Sequence, residues 1–444
     1  MNIKSRSRHS VSNIIAGGIN RILGIFLPFI MRTIIIKELG EEYLGINSLF
    51  ASILQVLNFA ELGLGNAIAA NMYKSIAEKD SESLCALLNF YRKWYRIIGY
   101  AIIAFGVVIL PMLPSIISGD APEGINIYIL FILYVMQTTI SYLFWAYKRT
   151  LITAHQRMDV VEHIGIICKL IAFILQIIAI IVFKDILFYV IANIICIIFD
   201  NILCKHIADR DYPLYQCKGK LPNNIKTKIR KNILALSFQK IGMTASNSIS
   251  NIIISAFLGL ELVAIYGNYY YIMMSAGIFI QLIYSGITAS VGNSIAVNDI
   301  KKNYIDFCRF SFFNLWVVGW CSICSGCLCQ PFMHLWMGDK LMLPIVDVVL
   351  FAVLFYTVNI RRVVMTYKDA AGIWYPDKYR PLVGCIVNLS LSLFLVKHYA
   401  ISGILIAAII SNFLVEFPWE TYILFRIYFK KSYTQYYSSL IKCV

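Results

Sequence analysis

The stretch GGINRILGIFLPFIMRT, Gly17–Thr33, is apolar over a length suited to lipid, yet it carries Arg21 and Arg32. Hydrocarbon is a poor solvent for a guanidinium, so the surrounding chain has to explain both residues. A soluble globular chain is about 45–50% apolar and about 25% charged. This 444-residue chain is 59% hydrophobic and 14% charged, with a mean hydropathy of +0.72. Those proportions identify a polytopic membrane protein, and its net charge of +15 is therefore read loop by loop rather than as a nucleic-acid footprint. The basic start (Lys4, Arg6, Arg8) mimics a signal peptide, but the apolar run behind it is span-length with no small-residue cleavage site. It reads as a retained span.

With about 20 apolar residues needed per crossing, twelve spans emerge, at roughly 14–36, 43–70, 96–117, 126–147, 164–183, 186–204, 233–257, 262–290, 311–332, 345–362, 382–396 and 400–425. With the N-terminus inside, 31 of the 39 Lys and Arg fall on the cytoplasmic side and four (Lys37, Lys184, Lys340, Lys397) on the other. The expected topology is twelve helices with both termini cytoplasmic. That count places Arg361, Arg362, Lys368, Lys378 and Arg380 in a cytoplasmic segment between spans. Asp200 and the pair Glu416/Glu420 are read as solvated at cytoplasmic helix ends, and Lys169 as snorkelling to the interface. The longest polar stretch, 205–232, reads as a basic linker that helps set topology and touches anionic headgroups, or that binds a cytoplasmic partner. The expected division is 1–204, the linker 205–232, and 233–444.

Sliding the chain on itself by 219 residues aligns Asn13–Asp80 with Asn232–Asp299 without a gap, with 18 identities in 68 positions. LGEEYLGIN (Leu39–Asn47) lies over LGLELVAIY (Leu258–Tyr266), and KSIAEKD over NSIAVND. Six helices per half bring both halves in from the same side. The fold class expected is thus all-α, with two six-helix bundles related by a pseudo-two-fold along the membrane normal. In this register Asn20-Arg21 falls on Gln239-Lys240, which would set two cations across a central cavity.

A charge near mid-bilayer costs at least about 2.5–3.5 kcal/mol on insertion scales and usually faces water or a partner. Arg21 and Arg32, eleven residues apart, are about 20° from eclipsed and roughly 16 Å apart along the axis. Gly17, Gly24 and Pro28 lie near the same stripe. Arg21 is read as lumenal, whereas Arg32 and Lys240 are open to either a lumenal role or snorkelling. On the second helix Asn47, Asn58, Glu61 and Gly65 share a stripe. Glu61 either neutralises Arg21 or titrates as a coupling-ion site. Twelve cysteines lie mostly in apolar spans. The run Cys321, Cys324, Cys327, Cys329 would spread around a helix, so it is read as packing rather than metal ligation, and no metal or cofactor is expected.

Two stretches, Lys37–Asp80 (KELGEEYLGINSLFASILQVLNFAELGLGNAIAANMYKSIAEKD) and Ala370–Ser411 (AAGIWYPDKYRPLVGCIVNLSLSLFLVKHYAISGILIAAIIS), resemble the bacterial polysaccharide-biosynthesis flippases. These O-antigen and capsule type exporters belong to the multidrug/oligosaccharidyl-lipid/polysaccharide transporter superfamily. KHYAISGIL stands where the family more usually has a glycine-led turn, so that hairpin's geometry is not carried over. The resemblance implies a non-enzymatic flippase in the bacterial inner membrane. It would move an undecaprenyl-pyrophosphate-linked oligosaccharide outward through a cationic cavity, with H+ or Na+ coupling proposed for some members and other polysaccharide-assembly proteins as partners. Arg21 and Lys240 match the cavity cations in kind, Arg32 more weakly. A guanidinium can hold a diphosphate bidentately and an ammonium acts as a point charge, while Asn20, Gln239, Asn47 and Asn58 could bond sugar hydroxyls. Two other readings remain: a cation-coupled exporter of drugs or other small molecules from the same superfamily, and a membrane polysaccharide polymerase or ligase. No phosphate-cradling glycine motif suggests ATP use.

Overall fold

The computed structural model describes residues 3–57, 72–73, 75–118, 122, 124–373, 376–434 and 436–438. Helices account for nearly all of it, and no strand occurs among the described residues. Lipid offers the backbone no hydrogen-bond partner, so the spanning segments satisfy their amides internally. Contacts divide the chain into two compact units, Met1–Ser237 and Phe238–Val444.

The first unit holds α1 (Ile3–Glu38), α2 (Glu41–Leu57), α3 (Ser81–Ile109), α4 (Ile127–Leu143), α5 (Ala146–Ala154), α6 (Met158–Ile181) and α7 (Ile186–Asp211). A turn of 3-10 helix and a short helical stretch carry α3 on to Ile116. At Trp145, whose φ is 54°, α4 and α5 meet with a 45° bend, so together they form one broken arm. The next helix, α8 (Asn223–Leu258), leads into the second unit, followed by α9 (Leu260–Val297), α10 (Ile300–Met337), α11 (Ile345–Ile360), α12 (Arg362–Ala370), α13 (Arg380–Ile410) and α14 (Phe417–Leu424).

Among the described residues seven helical stretches are long and apolar enough to cross a membrane, and the bent α4–α5 pair makes an eighth. One of the seven, Arg380–Phe429, is two arms, because Ala400 breaks α13 with φ 46° and ψ −126°. Counting α2, α8 and α9 as well, the described residues form twelve helical arms, six to a unit, in the order the hydropathy pattern predicts. The KHYAISGIL turn is this single left-handed alanine rather than a glycine-led loop. That conformation is strained for an L-residue and persists only where packing holds it. Packing is close there: a side chain at Gly403 would meet the Leu395 carbonyl oxygen at 2.5 Å.

The internal repeat has a structural cause at its matched residues. Gly40 and Gly259 both take positive φ, 111° and 95°, between the first and second helices of their halves, where a side chain would be strained. Glu42 and Glu261 follow in the first turn of the next helix, where an acid favours the helix dipole. Asp80 and Asp299 each cap the third helix of their half, accepting from Ser83 N at 2.9 Å and Lys302 N at 3.3 Å.

Within the first unit α6 packs along both α1 and α7, and α3 along α4. Phe50 meets Phe131 at 5.0 Å between ring centroids, with Tyr134 beside them. The second unit centres on Phe307, Tyr367, Phe425, Phe429 and Tyr436. Large apolar side chains left exposed, such as Ile167, Ile174 and Ile178 on α6 and Phe313, Trp316, Trp320 and Ile323 on α10, make surfaces suited to lipid.

Of the basic stretch 205–232, only 212–222 lies outside helices. It is tied to the first unit by Asn89 Nδ2 donating to the Gly219 carbonyl at 2.9 Å, and by His155 stacked on Tyr212 at 4.0 Å. The imidazole N–H of His155 donates to the Leu151 carbonyl at 2.9 Å, and burial holds its pKa below the ordinary 6.5. A lowered folded-state pKa means the stack is fully favourable above about pH 6.5 and weakens as pH falls through the lowered value. Protection of residues 212–222 against hydrogen exchange, corrected for the intrinsic pH dependence of amide exchange, should therefore fall below that pH, and His155→Gln should flatten the pH profile.

Helix α8 touches the start of α13 closely enough that a Cβ on Gly242 would sit 2.5 Å from the Pro381 carbonyl oxygen. Gly242→Ala should therefore cost about 1–3 kcal/mol as the two backbones separate, read as a lower thermal midpoint of the purified protein. A midpoint equal to wild type would remove this contact from the list of packing constraints.

Candidate functional site

Helix α1 delivers Asn20, Arg21 and Arg32 to the first unit. Asn20 works as a bridge: its Nδ2 donates to Glu162 on α6 and its Oδ1 accepts from Lys169 Nζ at 2.5 Å. Glycines make the room, since a Cβ on Gly165 would lie 3.8 Å from the Asn20 amide nitrogen and one on Gly24 4.0 Å from Lys169 Nζ. Nearby, Arg149 on α5 pairs with Asp200 on α7 at 3.1 Å. Two expectations are corrected here. Lys169 is bonded to Asn20 rather than merely snorkelling, and Asp200 is held by an arginine rather than by interfacial water alone.

Arg21, one residue on, is exposed and has no hydrogen bond or ion pair among the described residues. Arg32 is half-buried and lies near Tyr189. Asn47 accepts from the Tyr134 hydroxyl, so its side chain is engaged within the bundle. Gln239 and Lys240 sit in α8, and only their backbone is described; Asn58 and Glu61 lie outside the described residues. Cys321, Cys324, Cys327 and Cys329 range from buried to exposed around α10, as helical spacing predicts.

Among the described residues, the second unit holds the densest charge cluster. Arg361 ends α11, Lys368 lies on α12, Asp377 precedes α13, and Arg380 begins it. Glu416 and Glu420 belong to the last arm. Arg361 reaches Glu416 at 2.6 Å and Glu420 at 3.0 Å. Arg380 reaches Asp377 at 2.9 Å, Glu416 at 2.5 Å and Glu420 at 2.9 Å. Lys368 pairs with Asp377 and lies 3.5 Å from Glu420. Asn412 accepts from Arg361 Nη1 at 2.7 Å, and Ser411 donates to the Gly384 carbonyl at 2.7 Å.

The three cations and two of the acids are at most 5% exposed, and Glu416 is 13% exposed. Three positive charges meet three negative ones, so the cluster is neutral. This corrects the reading of Glu416 and Glu420 as solvated ends, and it gives Arg361, Lys368 and Arg380 buried partners. A sequence signal did exist. Glu416 and Glu420 are four apart within the last arm, a same-face helical spacing.

Asp347, in the first turn of α11, was also missed. It is buried, accepts from Ser402 Oγ just past the Ala400 break, and has no cation partner among the described residues. Around it Tyr269 donates to Gln330 at 2.5 Å, Gln330 donates to the Leu343 carbonyl at 2.7 Å, and Leu343 N donates to the Tyr269 oxygen at 3.0 Å.

These helices align with solved transporters along almost the whole chain. An inward-facing multidrug resistance MATE family transporter of the MOP superfamily matches with a TM-score of 0.64 and 16% identity, covering 94% of this chain and 98% of that one. The chain has the MATE transporter fold. The Vibrio cholerae MATE transporter VcmN matches with a TM-score of 0.63 and 15% identity over 96% of this chain and all of that one. An outward-facing multidrug resistance MATE transporter matches with a TM-score of 0.55 and 15% identity over 96% and 95%. At such identities the likeness is one of fold. No family model matches the sequence, and no curated protein does. In this MATE fold the two units correspond to the two six-helix bundles expected from the repeat.

Arg380→Met, which strips one cation from a buried neutral cluster, should cost about 3–5 kcal/mol. Adding Asp377→Asn restores neutrality and should return a good part of that loss. Chemical or thermal unfolding in detergent checks both, and additive losses in the double variant would deny the coupling.

Proposed function

We propose that this chain is an alternating-access membrane transporter of the MOP superfamily, working as an ion-coupled exporter of small organic molecules. One observation carries this reading: the end-to-end fold match to multidrug resistance transporters, with both an inward-facing and an outward-facing structure among the matches. Alternating access between two bundles is the general mechanism of such two-unit transporters. Asp347 supplies a group suited to the coupling ion. It is a buried carboxylate bonded to a hydroxyl, and such a group gains or loses a proton more freely than one locked to an arginine.

A second reading concerns cargo, and a different observation favours it. Glu416, Glu420 and Asp377 are engaged by arginine and lysine, Asp200 by Arg149, and Glu162 by Asn20, whereas Arg21 stands exposed without a partner among the described residues. An unpartnered guanidinium suits an anion, and a lipid-linked pyrophosphate oligosaccharide is the anion that the sequence resemblance implies. In this reading Arg21 and Lys240 hold the diphosphate, with Arg32 along its route. The polar groups Asn20, Gln239, Asn47 and Asn58 serve the glycan, and Glu61 serves as a counter-charge or coupling group.

One pair of assays separates the readings. Exporter function predicts that proteoliposomes with a proton or sodium gradient move an organic dye or drug, that Asp347→Asn lowers gradient-driven uptake about tenfold or more, and that Arg21→Ala leaves it near wild type. Flippase function predicts that deletion leaves lipid-linked glycan on the cytoplasmic leaflet, rescued by wild type but not by Arg21→Ala or Lys240→Ala. Absence of both phenotypes would remove the transporter reading.

A further inference from the structure

The last helical arm has two unlike faces. Glu420 is buried in the ion-pair cluster and Phe417, Leu424 and Phe425 in the apolar core of the second unit, while Leu414, Tyr422, Arg426 and Ile427 are exposed. On this exposed side lies a cavity of about 690 Å³, within the range of about 300–1,000 Å³ common for small-molecule sites. Its walls include Leu414, Pro418, Ile423 and Ile427, with Trp419 and Tyr422 presenting rings and Arg426 at one end. Among the described residues, no carboxylate lines it.

Its lining follows the backbone. Ser411–Glu416 and Phe425–Phe429 are wound as π-helix on either side of α14. Pro418, which has no N–H to donate, sits at the first of these transitions. Residues from both π stretches and from the turn between them line the slot, with Pro376 contributing from outside the arm.

Arg426 donates to the Tyr422 hydroxyl at 2.5 Å and lies 5.6 Å from the ring centroid, so its guanidinium is steered to the mouth of the slot. It has no carboxylate partner among the described residues. Lys430 and Lys431 follow within five residues, and the positive-inside count puts this end on the cytoplasmic side. A Trp and a Tyr beside it are typical of the membrane interface.

We propose that this slot binds one anionic phospholipid of the surrounding bilayer, with an acyl chain along Leu414, Pro418 and Ile427 and the phosphate against Arg426. An apolar channel calls for a hydrocarbon chain. A single unneutralised guanidinium at the interfacial end, with no acid to repel an anion, calls for a net negative headgroup over a zwitterionic one. The lipid would lie against the outer face of the helix whose inner face carries Glu420, bracing the cluster from behind.

The test uses the full purified chain with phosphatidylglycerol and phosphatidylcholine, read by native mass spectrometry and by thermal shift. Wild type should retain phosphatidylglycerol preferentially and gain a higher midpoint from it. Arg426→Gln should weaken that retention about fivefold, equivalent to about 1 kcal/mol for one basic residue at a membrane surface. Leu414→Trp, which fills the slot and leaves the cation in place, should lower retention as well. Each variant's midpoint in phosphatidylcholine reports whether it still folds. Equal retention of the two lipids by wild type, or unchanged retention in both variants, would overturn the proposal. So would displacement of phosphatidylglycerol by an equimolar polyprenyl pyrophosphate, which would assign the slot to cargo instead.

Discussion

Charge neutralisation in a buried interior is the constraint on which the second unit depends. Arg361, Lys368 and Arg380 would each be prohibitive alone in a dry interior, as would Asp377, Glu416 and Glu420. Brought together they cancel, and the geometry that cancels them also joins α11, α12, the segment before α13, the first turn of α13 and the last arm. Close approach between elements follows from it. Gly384 must lack a side chain because a Cβ there would sit 2.7 Å from Glu416 Oε1. Asn412 and Ser411 are drawn into polar service from the same turn. The cluster specifies which faces meet more than it adds net stability, since buried ion pairs often do little better than apolar residues of the same volume.

The first unit solves the same problem with fewer charges and more amides. Asn20 stands between Glu162 and Lys169, so an acid and a base share one neutral side chain. Arg149 and Asp200 form a direct pair. Arg21 falls outside both arrangements despite being adjacent to Asn20. This difference between neighbouring residues of one helix gives the cationic reading of the path its support, and it is independent of the resemblance to any family.

Much of the architecture was legible because membrane constraints act on contiguous sequence. Span positions follow from hydropathy, and the repeat follows from residues with local backbone jobs: Gly40 and Gly259 at left-handed turns, Asp80 and Asp299 as caps. The ion-pair cluster was less legible because its partners are up to 59 residues apart, from Arg361 to Glu420, and no hydropathy window joins them. A basic residue in a short polar segment looks the same whether it faces water or a carboxylate. Asp347 escaped notice for a related reason, since a carboxylate in the first turn of a span looks like an ordinary interfacial acid until Ser402 is found across from it. At Ala400 the sequence showed that a glycine was missing, but not that an alanine would take its conformation.

The π turns of the last arm have a consequence for comparing this chain with others. A π turn is in effect one additional residue wound into a helix without unwinding it. Removing that residue from a helix would swing everything beyond it by about 100° around the axis. Glu416 ends the first π stretch and Glu420 follows it, so deleting a residue from that stretch would turn both acids away from Arg361 and Arg380. Aligned with an uninterrupted helix, this arm needs a gap inside a membrane span, where gaps are rarely allowed. Residue-by-residue transfer of roles across that point carries the wrong face of the helix into correspondence.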